Sequence, residues 1–161
     1  MRYRLLKMPV VQLDGSLREA IQQAIAQCPG ENEEEGGFIV QNGEKYEFHH
    51  LVNQHTGTPV GVALYEPDQQ QYGDRVIGSY SRGFINFGSF HTHPTGCRAL
   101  PSGTDLTRLF NGQPNNFIWS PSLKELNWFA FDGNDGTETS WFFQSVDLSN
   151  LSIPFSTSFQ V

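Results

Sequence analysis

The sequence predicts an α/β (α+β) fold, a single compact domain in which a mixed sheet is flanked by helices. Three observations predict it. Short apolar or alternating segments recur along the chain, each bounded by Gly, Pro, Asn or Asp. Residues 17–28 instead carry apolar side chains at three- and four-residue spacing. No repeat, linker or shift in composition divides the 161 residues, a length that supports one core and leaves little room for two.

The elements follow in order. Residues 3–10 read as a short extended segment that ends or bends near Pro9. In residues 17–28, Leu17, Ala20, Ile21, Ala24, Ile25 and Cys28 form one helical stripe. Ser16 and Glu19 fit a capping box before it, and Pro29-Gly30 stops it. An acidic run, Glu31 to Glu35 interrupted by Asn32, opens into Gly36-Gly37-Phe38-Ile39-Val40. Asn42-Gly43 marks a hairpin turn, with a return strand over residues 45–52. Residues 60–65 read as a strand, 66–74 as a polar loop, and 75–80 and 83–93 as strands. A Gly- and Pro-rich loop covers 94–103, and a short helix follows at about 104–110. Strands are expected at 116–119, 126–131 and 139–146, then a Ser-rich tail over 147–161. Trp119, Trp128 and Trp141 fall in or beside these strands, where core packing is expected.

Composition narrows the function. Aromatic residues make up 13% of the chain, far too many for a solvated, disordered one. A net charge of −7 argues against a phosphate-binding surface and hence against nucleic acid. No run approaches the ~18 apolar residues of a membrane span. Residues 1–10 lack a long apolar stretch and a small-residue cleavage site, so no secretory signal is expected. Two cysteines, Cys28 and Cys97, are too few for a disulfide framework, and free thiols in the cytoplasm are the expectation.

The chemistry is concentrated in Phe90-His91-Thr92-His93-Pro94 and Pro101-Ser102-Gly103-Thr104-Asp105. Residues i and i+2 of a strand share a face about 6.6 Å apart, so two imidazoles can converge on one ion. Pro94 cannot continue a ladder, and the turn it enforces lets Asp105 swing back as a third ligand. Two imidazoles and a carboxylate suit Zn²⁺ and leave a fourth position for water. Each part also has a plain structural reading. A His-x-His pair decorates many edge strands, and Ser102-x-x-Asp105 is an ordinary capping box. The cap and ligand readings are compatible, because a carboxylate in a first helical turn has a fixed direction. A hydrolytic site also needs a base, and the carboxylates of Glu33 to Glu35 precede a strand whose two glycines admit a close neighbour. His49 and His50 are adjacent on a strand and face opposite sides, and His55 falls in a loop, so structural or surface roles are expected for all three.

Together, Glu34-Glu35-Gly36-Gly37-Phe38-Ile39, His91-Thr92-His93-Pro94 and Ser102-Gly103-Thr104-Asp105 resemble the JAMM motif of the JAB/MPN zinc metallopeptidases. The likeness spans about residues 15–146. It implies a cytidine-deaminase-like or MPN-type sheet and one zinc ion per chain held by His91, His93 and Asp105. It further implies Glu34 as catalytic Glu, with Glu35 the neighbouring candidate, and Ser102 as the residue that helps hold the reacting carbonyl oxygen. Seven residues separate Pro94 from Ser102 where the family commonly has six, and Cys97 lies in that longer loop as a conceivable soft ligand.

The implied reaction is hydrolysis of a peptide or isopeptide bond by a zinc-activated water, with a ubiquitin-like protein or its conjugate as substrate. Residues 83–90 offer one candidate edge for an extended substrate tail. The acidic run beside the metal would favour a tail with Arg or Lys before its terminal glycines. Two other readings stand beside this one: a catalytically silent MPN-type scaffold that binds a partner, and a metal-dependent amidase acting on another peptide, such as a cell-wall peptide. The sequence does not specify an oligomeric state.

Overall fold

In the computed structural model, residues 2–30, 33–54 and 65–153 are described. Seven strands form one mixed sheet: β1 (Arg2–Lys7), β2 (Gly36–Asn42), β3 (Lys45–Leu51), β4 (Ile85–Thr92), β5 (Asn115–Ser120), β6 (Glu125–Asn134) and β7 (Glu138–Ser145). Their order across the sheet is β1-β7-β6-β5-β4-β2-β3. Helix α1 (Gly15–Gln27) and helix α2 (Gln69–Ser81) flank it, and a π-helical turn spans Asp105–Leu109. The expected α+β class is therefore present.

Alternation along the strands sorts the core into two faces. Ile39, Phe90, Phe117 and Trp119 point to one side and meet the α1 stripe of Ala20, Ile21, Ala24, Ile25 and Cys28. On the other face, Phe38 and Val40 pack with Tyr72 and Val76 of α2. Farther across that face, Ile118, Phe129 and Trp141 enclose Phe110, at the end of the π-helical turn. Trp119 and Trp141 are buried as expected, and Trp128 stacks on Phe117 while its indole N–H donates to Asn115.

Several local expectations are corrected. Residues 66–80 are not a loop followed by a strand. Asp68 accepts a hydrogen bond from the Gln71 amide and starts α2. Tyr72, Val76 and Ser79, at helical spacing, turn inward. The expected strand at 60–65 falls almost wholly outside the described residues, as does His55. Ser16 does not cap α1. Asp14 takes the N-cap position without a side-chain bond, while the Ser16 hydroxyl accepts from the Tyr46 amide at 2.8 Å. The hairpin loop is Gly43-Glu44, one residue later than expected, with Asn42 paired to Lys45 and Gly43 at φ +59°. Residues 83–90 offer no free edge either, since β4 lies between β2 and β5. The outer strands are β1 and β3.

β4 and β5 run parallel, which requires a long crossover between them. Residues 93–114 make that crossover, and the π-helical turn lies within it. The start of the tail packs inward: Leu148, Leu151 and Ile153 join the α1 side of the core, and Ser152 donates its amide to Gln22. No helix among the described residues is long and apolar enough to cross a membrane.

Candidate metal centre

The centre forms where β2 begins and β4 ends. Gly36 is paired with His91, so the residues just before β2 meet His91 near the end of β4 and His93 just beyond it. The Thr92 amide donates to Glu35 O at 2.8 Å, and Thr92 Oγ1 accepts from the Glu35 amide at 2.9 Å. These two bonds set the direction of the chain at Glu34. The glycines serve backbone approach. A Cβ at Gly36 would stand 2.2 Å from Phe90 O, and one at Gly37 would stand 2.0 Å from His49 O. Gly36→Ala is therefore expected to destabilise the fold by about 1–3 kcal/mol, measured by urea unfolding. A stability equal to the parent's would show that β2 and β4 do not approach this closely.

Glu34, His91, His93 and Asp105 bring one ligand atom each to within 4.8 Å of one another, and all four are buried. Asp105 is the hub. Its Oδ1 lies 3.2 Å from His91 Nε2, and its Oδ2 lies 3.0 Å from His93 Nε2. The Ser102 amide also donates to Oδ2 at 3.0 Å, while Ser102 Oγ accepts from the Asp105 amide at 3.0 Å. The capping box is thus complete and aims the carboxylate at the two imidazoles. Burial pushes the Asp105 carboxyl up, but the two histidines and the Ser102 amide outweigh it and hold the group well below the usual carboxylate range. Glu34 stands slightly back, with Oε1 4.0 Å from His91 Nε2. Burial pushes its carboxyl up to about 7, against the opposing pull of the histidines.

These residues fit a metal ion. Two ligand atoms on a tetrahedral zinc with bonds of ~2.0–2.1 Å stand roughly 3.3 Å apart, close to the observed 3.0 and 3.2 Å. His93 Nδ1 lies 2.7 Å from Arg98 O, and a ring proton placed there leaves the Nε2 lone pair facing inward when the ring is neutral. Buried His91 Nδ1 has no hydrogen-bond partner among the described residues, and buried Nε2 has only its ion-pair approaches to Asp105 and Glu34, without hydrogen-bond geometry. An unsatisfied buried nitrogen is costly, and coordination would satisfy one of the two.

The two adjacent acids differ in role. The Glu35 carboxylate accepts the Gly30 amide at 2.6 Å and takes no part in the cluster. With Glu34 buried and Glu35 bonded inward, Glu33 alone of the three is exposed. The outward acidic surface expected to favour a basic tail is therefore smaller than the sequence suggested. Ser102 is exposed beside Asp105. Cys97 is also exposed, on the loop and outside the cluster, while Cys28 is buried under α1. The longer loop is pinned to β5 and β6: Glu125 accepts from Arg98 and from the Ala99 amide, and Ser120 Oγ donates to Cys97 O at 2.6 Å. His49 stacks on Phe38 and lies 3.4 Å from Glu47, away from the centre.

Three supporting residues were not singled out from the sequence. Tyr65 stacks over the His91 ring, with centroids 6.2 Å apart and planes within 7°. Buried Asn53 donates to Glu34 O at 2.7 Å and accepts from the Glu66 amide at 3.0 Å, tying the Glu34 segment to the chain beside Tyr65. Glu125 holds the loop whose Arg98 carbonyl orients His93. Asn53 and Glu125 act through backbone groups, which leave no residue-type signal at a motif spacing.

No protein-family model matches the chain, and no curated protein matches it. Among solved structures, a protein from Desulfitobacterium hafniense is similar over 92% of this chain and 96% of its own, with 20% identity and a TM-score of 0.53. A protein from Salinibacter ruber is 20% identical over 91% of this chain and 94% of its own, with a TM-score of 0.49. The first likeness is one of fold alone.

Proposed function

We propose that the protein is a zinc-dependent metallopeptidase or isopeptidase of the JAB/MPN type, acting on a bond that follows the C-terminus of a ubiquitin-like protein. The observation that carries this reading is the buried convergence of Glu34, His91, His93 and Asp105, joined to the capping geometry of Ser102.

In this reading His91, His93 and Asp105 hold the zinc, which when bound supplies Lewis acidity and an activated water. Glu34 stands behind the ligands rather than among them, and its raised pKa suits a group that takes up a proton and returns it to a departing amine. Ser102 Oγ already accepts from the Asp105 amide, so its own O–H is left to donate to the carbonyl oxygen of a substrate. Asp105, held by that same cap, cannot swing away without breaking the turn. A silent scaffold would need none of these four side chains buried together, which favours the hydrolase.

The test is direct. Zinc-loaded protein is incubated with ubiquitin-like proteins extended by a C-terminal peptide, with and without a chelator. Cleavage after the terminal glycine that stops with chelator and returns with zinc is the expected result. Stoichiometric zinc with no cleavage of any extended protein or model peptide would count for the scaffold instead.

A further inference from the structure

A second feature adjoins the centre. A cleft of about 310 Å³ is lined by Tyr65, Glu66, Tyr72, Thr104, Arg108 and Leu109, among others. It shares two walls with the centre: Tyr65 is the ring stacked on His91, and Thr104 directly precedes Asp105. Arg108 lies one turn beyond Asp105 in the same π-helical segment.

The charges in this cleft are not equivalent. Arg108 has no ion pair among the described residues, whereas Glu66 is already engaged in an interaction. The cation is therefore the group in the cleft left to meet a charged ligand, in a chain whose net charge is −7. Its guanidinium is suited to a two-point grip on a carboxylate, and the tyrosine and leucine walls suit the carbon stem that would carry one. Of the acidic run, Glu34 and Glu35 are turned inward, which reduces the acidic surface available to a basic ligand.

We propose that this cleft is a substrate subsite and that Arg108 selects a carboxylate on a residue flanking the scissile bond. The proposal rests on the peptidase reading for the word substrate, but not for the binding itself. The carboxylate has two sources, an acidic side chain or a free chain terminus, and the probes distinguish them.

The experiment uses zinc-loaded Glu34→Gln protein, in which probes bind without turnover, and isothermal titration calorimetry. The probes are acetyl-Gly-Gly-Glu-amide, acetyl-Gly-Gly-Gln-amide and acetyl-Gly-Gly-Gln with a free carboxylate. At least one carboxylate probe is expected to bind about tenfold or more tighter than the neutral amide. Adding Arg108→Ala should erase that difference with zinc content unchanged, and Arg108→Glu should invert it toward a Lys-bearing probe. Arg108 is exposed, so these variants are expected to fold. Equal affinity for all three probes, or a preference that survives Arg108→Ala, would overturn the proposal. Selective binding without cleavage of any substrate by the Glu34 protein would sink the peptidase reading and leave the carboxylate site standing. Cleavage indifferent to carboxylates would do the reverse.

Discussion

Replacing Glu34 by Gln is expected to lower turnover by about 10²–10⁴-fold while one zinc per chain remains bound. Glutamine keeps the size of the side chain but can neither carry the negative charge nor take up the proton. His91, His93 and Asp105, the proposed ligands, are untouched, and Glu34 Oε1 at 4.0 Å from His91 Nε2 is too far back to be needed as one of them. Zinc content by mass spectrometry and initial rates on a cleavable fusion are measured together. A variant that loses zinc and activity in parallel would make Glu34 a ligand rather than the base. A variant that keeps full activity would remove it from the mechanism.

The same substitution has a signature in the metal-free protein. The Glu34 carboxyl titrates near 7 in the folded chain, against about 4.5 for an ordinary glutamate, because burial disfavours its charged form. Between those values the folded state holds a proton that the unfolded state has released. Stability contributed by protonated Glu34 is complete below about pH 4.5, falls as pH rises toward 7, and is level beyond it. Glu34→Gln should flatten that part of the profile, measured by urea unfolding of metal-free protein across pH 4.5–8.

The second large effect is expected from the metal itself. Zinc at 100 times its Kd should stabilise the folded chain by about 2.7 kcal/mol, which for a domain of this size raises the unfolding midpoint by roughly 5–11 °C. The ion would replace the close contacts that Asp105 now makes to two imidazoles, and would satisfy a buried nitrogen of His91. His91→Ala and Asp105→Asn should each abolish the zinc-dependent shift. They differ without metal. His91→Ala removes the poorly satisfied buried imidazole together with its contact to Asp105 and leaves a cavity beneath Tyr65, whereas Asp105→Asn weakens the charged hub of the cluster. Calorimetry with and without zinc separates these outcomes. A shift that persisted in both variants would place zinc somewhere else on the protein.

Much of this centre was legible before any fold was known. His91 and His93 needed only the pleat of a strand to share a side, and Pro94 needed only its missing N–H to force the turn. Ser102 and Asp105 read equally as a cap or as ligand and partner, and the fold uses the same atoms for the cap and for the approach to the histidines. Local preference points away from the helix at Gln69–Ser81, because Val76, Ile77 and Tyr80 favour strands and Gly73 and Gly78 weaken a helix. The better signal was Asp68 followed by Tyr72 and Val76 at four-residue spacing. Their burial against Phe38 outweighs the local preference.

The sequence by itself determined the α+β class, the helical stripe of α1 and the identities of the candidate metal-binding side chains. Those depend on residue type and on periods of two or 3.6, which act over a few positions. Only the tertiary structure decided which acid joins the cluster. Glu34 and Glu35 are neighbours of the same type, and what separates them is a Gly30 amide that takes one and a buried pocket beside His91 that takes the other. It also placed β4 inside the sheet rather than at its edge, and set Tyr65, Asn53 and Arg108 around the centre. These are contacts between segments far apart in the chain, and local spacing carries no record of where the packing of the whole domain will bring them together.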